Sequence, residues 1–112
     1  MSLRTKIFIA LLVVVTCNSA SASYDANMSG EIEGFYVYAE GDYVFFRLKN
    51  QPGSHFGCDP TYFVIPETVS ADRRKALLAR LSLAYAMQEV VNIGYAANGD
   101  CAAGYIRVYR VG

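Results

Sequence analysis

Polar and apolar residues alternate at a strand period in two neighbouring runs. From Glu31 to Ala39, Phe35, Val37 and Ala39 share one side while Tyr36 and Tyr38 take the other, and Gly34 stands where a bulge or bend fits. From Tyr43 to Lys49, Val44, Phe46 and Leu48 share a face opposite Tyr43, Phe45, Arg47 and Lys49. Glu40-Gly41-Asp42 lies between the runs, so together they predict a β-hairpin. Asn50 to Pro60 is rich in turn formers and reads as a loop, and Thr61 to Ile65 is a short β-branched and aromatic strand stopped by Pro66. The period then becomes helical from Ala71 to Gln88. Ser70 is placed as N-cap, Asp72 sits in the first turn, and Leu77, Leu78, Leu81, Ala84 and Tyr85 form the apolar stripe. Strand periodicity returns from Glu89 to Ala97, with Val91, Ile93 and Tyr95 on one face. Asn98-Gly99-Asp100 is a turn signal, and Ala103 to Val111 closes the pattern with Ile106 and Val108 opposite Tyr105, Arg107, Tyr109 and Val111.

The residues ahead of this pattern read as an export signal. Arg4 and Lys6 precede an apolar run from Ile7 to Val15, and Ala20-Ser21-Ala22 is the small-x-small pattern that signal peptidase cleaves. The run is about half of the ~20 residues that span a bilayer, so cleavage after Ala22 is expected rather than a retained anchor. A lipidated Cys17 is the competing reading, and Thr16 before it argues against that processing. Residues 23–30 are polar and aperiodic and are expected to be a flexible lead-in to one domain over 31–112.

Cleavage changes the charge and the cysteine count. The remaining chain has eight basic and ten acidic side chains, a net charge of −2, which lacks the basic footprint that nucleic-acid binding needs. Two cysteines remain, Cys58 and Cys101, and in an oxidising compartment an isolated pair forms a disulfide. The expected location is therefore secreted or periplasmic, with no membrane span and no nucleic-acid partner.

The element order β-β-β-α-β-β predicts a mainly β domain with one helix, an OB-like five-stranded barrel whose helix falls between strands three and four. A resemblance points the same way. It is carried by Cys58, Phe63-Val64-Ile65-Pro66, Ala76-Leu77-Leu78-Ala79, Ala84-Tyr85-Ala86, Val90-Val91-Asn92-Ile93, Cys101 and Ile106-Arg107-Val108. Over about residues 30–112 this pattern is similar to small secreted OB-fold proteins related to the receptor-binding B subunits of bacterial toxins of the subtilase-cytotoxin and pertussis-like type. That resemblance implies an OB barrel, cyclic homo-oligomers and binding of cell-surface glycans. No glycan-contacting residue of that family is carried over.

Catalytic chemistry is thinly represented. His55 is the one histidine, and neighbouring Ser54 and Asp59 do not make a triad by sequence proximity, so it reads as a loop histidine. One histidine and two paired cysteines leave too few ligands for a metal site, and no cofactor is expected. Glu31, Glu33, Glu40 and Asp42 around the first hairpin read as solvated acids, and Arg73-Arg74-Lys75 as a solvated helix face.

The aromatic inventory carries more information. Nine tyrosines all follow the export signal. Tyr36, Tyr38, Arg47, Tyr105, Arg107 and Tyr109 fall opposite the aliphatic faces, and tyrosine with arginine is what contact surfaces favour. The expected function is a non-enzymatic module binding a cell-surface glycan or a protein through these six residues. The alternative is a stand-alone structural or envelope-associated protein without a small-molecule ligand.

Overall fold

Alternation becomes burial most clearly in the second strand. The computed structural model describes residues 24–112, and the export signal expected over residues 1–22 lies outside them. In β2 (Val44–Leu48), Val44, Phe46 and Leu48 are buried while Phe45 and Arg47 are half-exposed. Each fully buried side chain of this size contributes roughly 1.5–3 kcal/mol by leaving water. β2 pairs antiparallel with β1 (Ala26–Val37) on one side and with β3 (Asp59–Ile65) on the other.

β1 is longer than its alternation suggested. Residues 26–30, expected within the flexible lead-in, pair antiparallel with β4 (Val90–Tyr95), Ala26 opposite Tyr95 and Gly30 opposite Val91. Just beyond, β1 changes partner, and Ile32 lies opposite Leu48 of β2. A register shift between Ile32 and Gly34 places the bulge beside the predicted glycine. Tyr24 and Asp25 are also engaged: Tyr24 stacks on Tyr109, and the Asp25 carboxylate accepts from the Ala97 N–H. The strand leaves little mark in the sequence because Ala26, Met28 and Gly30 are small or flexible, and their partner strand lies more than sixty residues downstream.

β6 (Tyr105–Val111) closes the sheet. It pairs antiparallel with β4 and parallel with β3, with Phe63 opposite Ile106 and Val64 opposite Arg107. Going round, β1, β2, β3, β6 and β4 return to β1, a closed five-stranded mixed barrel of OB-like order. Closure removes the unpaired strand edges that an open sheet would present. Its interior holds Ile32, Phe46, Leu48, Phe63, Ile65, Val91, Ile93 and Ile106, each at most 4% exposed.

α1 (Ala71–Met87) completes the core by contributing Leu81 and Ala84, while Leu77 and Leu78 pack partly against it. Its start is capped as predicted: the Ser70 hydroxyl accepts from the Arg73 N–H at 3.3 Å. Its end is capped by Gln88 in the left-handed region, which returns the chain directly into β4. Arg74 departs from the solvated face expected for residues 73–75. Its guanidinium donates to the carbonyls of Glu67 and Val69 and so fastens the β3–α1 connection to the helix.

The last turn also lies elsewhere than predicted. A two-residue strand, β5 (Cys101–Ala102), pairs with the start of β6, with Ala102 opposite Tyr105. The tight turn is therefore Ala103-Gly104, with φ of 51° and 84°, the two positive values of a type I′ hairpin. Alanine rarely takes that conformation, so the turn left no signal, whereas the stronger-looking Asn98-Gly99-Asp100 only leads into β5.

Cys58, just before β3, is disulfide-bonded to Cys101 in β5, with Cα atoms 5.6 Å apart. The two loops meet closely beside this link. Gly99 N–H donates to the Phe56 carbonyl at 2.6 Å, and a Cβ on Gly57, whose φ is 106°, would lie 2.9 Å from the Gly99 Cα. Glycine at 57 is required on both counts.

Candidate functional site

The outward faces of β1, β2, β3 and β6 carry one contiguous cluster of aromatic rings. Phe45 stands at its centre, since β2 alternates and Phe46 fills the core position beside it. Ring centroids of Tyr38, Tyr62 and Tyr105 lie 5.3, 6.0 and 5.5 Å from that of Phe45. Tyr62 in turn meets Tyr36 at 5.8 Å and Tyr105 at 5.5 Å. All these contacts are edge-to-face, the geometry that aromatic quadrupoles prefer, so each ring restrains its neighbours. Tyr36 and Tyr38 remain 46% and 57% exposed, which leaves one margin of the cluster open to a partner.

Arg47 supplies the charged component. Its guanidinium carbon lies 6.0 Å from the Tyr62 ring centre, and its Nε pairs with the Glu33 carboxylate at 2.7 Å. Glu31 similarly pairs with Lys49 across the same two strands. The acids of the hairpin strands are thus bound in cross-strand ion pairs, while Glu40 and Asp42 are exposed on the turn.

The six predicted residues divide into two groups. Tyr36, Tyr38, Arg47 and Tyr105 belong to the cluster. Arg107 and Tyr109 lie further along β6 and turn to Asp100: Arg107 Nε is 3.5 Å from its carboxylate, and the Tyr109 hydroxyl donates to it. Hydrogen bonding to Asp100, with burial behind it, holds the Tyr109 hydroxyl above the usual phenol value. Phe45 and Tyr62 are the residues that sequence reading left out. Alternation puts Phe45 on the outer face and Tyr62 on the face away from buried Phe63 and Ile65. The β2–β3 pairing then sets Tyr62 against Phe45, and the parallel β3–β6 pairing, which has no local signature, sets it against Tyr105.

His55 has a structural assignment. Its Nε2–H donates to the Ala96 carbonyl at 2.8 Å, and its Nδ1 accepts from the Cys58 N–H at 3.2 Å. Both ring nitrogens are thereby occupied in bridging the loop before β3 to the end of β4, beside the disulfide. His55→Ala is expected to cost about 1–3 kcal/mol, because it strips a partner from each of two backbone groups. Urea denaturation measures this, and an unchanged midpoint would show that the bridge contributes nothing.

Among the described residues no group of three or more His, Cys, Asp or Glu is arranged to hold a metal, and no helix is long and apolar enough to cross a membrane. The fold and the cluster together define a class: a disulfide-closed OB-like barrel with an aromatic outer face. Set beside known proteins, the chain matches no family model, no curated protein and no solved structure at a significant level.

Proposed function

We propose that this chain is an exported, non-enzymatic binding module whose aromatic outer face takes a cell-surface glycan, in the manner of the toxin B subunits its pattern resembles. The observation that carries the proposal is the ring cluster of Tyr36, Tyr38, Phe45, Tyr62 and Tyr105, pre-set by edge-to-face contacts and flanked by Arg47. Aromatic bodies stack on the C–H faces of sugars, while tyrosine hydroxyls and a guanidinium answer sugar hydroxyls. Rings already held by their neighbours lose little rotamer freedom on binding. OB barrels commonly use the face of strands two and three for oligosaccharides and oligonucleotides, and the net acidity of the chain after residue 22 disfavours the latter. Export is supported by the signal pattern and agrees with a disulfide.

A glycan array probed with the secreted protein tests the reading. Retention of a defined glycan subset is expected, with Tyr62→Ala weakening it at least about fivefold, the effect of losing a contact anchor. A blank array alongside a stable homo-oligomer is the result that a stand-alone structural or envelope protein gives, and it would replace the proposal.

A further inference from the structure

A groove of about 450 Å³ opens between the first half of α1, the β3–α1 connection and β6. None of the five clustered rings lines it, so it is separate from the aromatic face. Its walls are apolar at Val69, Ala76, Leu77, Val108 and Val111. Its charged lining consists of Arg73, Arg80 and Arg107, with no carboxylate among the lining residues. Arg80 pairs with Glu89 at 2.7 Å and Arg107 with Asp100 at 3.5 Å, both acids standing outside the groove. The Arg73 side chain has neither an ion-pair nor a hydrogen-bond partner among the described residues.

A guanidinium keeps its charge at any physiological pH and matches carboxylate geometry through two parallel N–H donors. Here one such group lies unpaired at the rim of an apolar groove of small-molecule size. Arg80 stands two turns further along the helix, about 10 Å away, so a single head group reaches Arg73 alone while Arg80 and Arg107 add to the positive potential. We propose that this groove binds a small amphiphilic organic anion, its carboxylate on Arg73 and its apolar body between Leu77 and Val108. The groove's volume suits a free single-chain molecule rather than a polypeptide segment.

The test is a titration of the secreted protein with decanoate, and separately with decanol, followed through the methyl NMR signals of Leu77, Val108 and Val111. Saturable shifts of those methyls are expected with decanoate, and decanol should bind about tenfold more weakly for want of the charge-assisted contact. Arg73→Ala should remove most of that difference and leave decanol binding as it was. Ala76→Leu, at an exposed position on the groove wall, should weaken both ligands without lowering Tm. Equal affinity for the two probes overturns the proposal, as does an unchanged decanoate affinity in Arg73→Ala. Arg73-dependent binding to phosphatidylglycerol vesicles without binding of free decanoate would also overturn it, since the anion would then be a membrane head group.

Discussion

Cys58→Ala or Cys101→Ala is expected to destabilise the domain by about 2–5 kcal/mol, with the chain-entropy value near 4 kcal/mol for residues 43 apart. The bond ties the loop before β3 to the small hairpin that leads into β6, and β3 and β6 are the two strands whose parallel pairing closes the barrel. Its loss therefore loosens the seam that has the least local support. A domain of this size has a total stability of only about 5–15 kcal/mol, so either variant should unfold at markedly lower urea. The two single variants and the double variant should agree, since each removes the same bond. An unchanged urea midpoint would show that the seam holds without it.

Phe63→Ala should be of similar size, about 3–5 kcal/mol, by a different physical route. Phe63 is fully buried, lies opposite Phe46 of β2 and Ile106 of β6, and has its ring 5.6 Å from Phe46 and 5.4 Å from Tyr95. Its neighbours sit on strands paired to either side, so the space left behind fills only in part. Phe63→Leu keeps most of the volume and should cost much less. Equilibrium denaturation separates the two, and equal losses would mean that ring shape rather than cavity volume decides the site.

The parts of this fold that were legible are those whose physics is local. The inward face of Val44, Phe46 and Leu48, the Ser70 cap, the helix stripe through Leu81 and Ala84, and the pairing of Cys58 with Cys101 all rest on spacing or on residue chemistry. What escaped depended on partners distant in sequence. Residues 26–30 alternate only faintly, with Met28 the one large apolar side chain between Ala26 and Gly30, and pairing with β4 makes them a strand. Ala103-Gly104 turns with an alanine at positive φ because the flanking β5–β6 pairing imposes it. The candidate site shows the same division: alternation put Tyr36, Tyr38, Arg47 and Tyr105 outward, but the contact of Tyr62 with Tyr105 comes only through barrel closure. Arg107 and Tyr109 share that alternation, and still they serve Asp100 and the groove.

The claim that the outer rings are a contact surface, and not cladding for the barrel, is tested most directly by pairing two readouts on Tyr36→Ala and Tyr38→Ala. One is affinity for whichever array glycan the unaltered protein retains, and the other is stability in urea. Both residues are about half exposed and neither belongs to the core cluster. Affinity is expected to fall about fivefold or more while stability stays within about 1 kcal/mol of the parent. The opposite pair of results, a urea midpoint lowered as far as in Phe63→Ala with glycan affinity intact in the folded protein, would contradict the account.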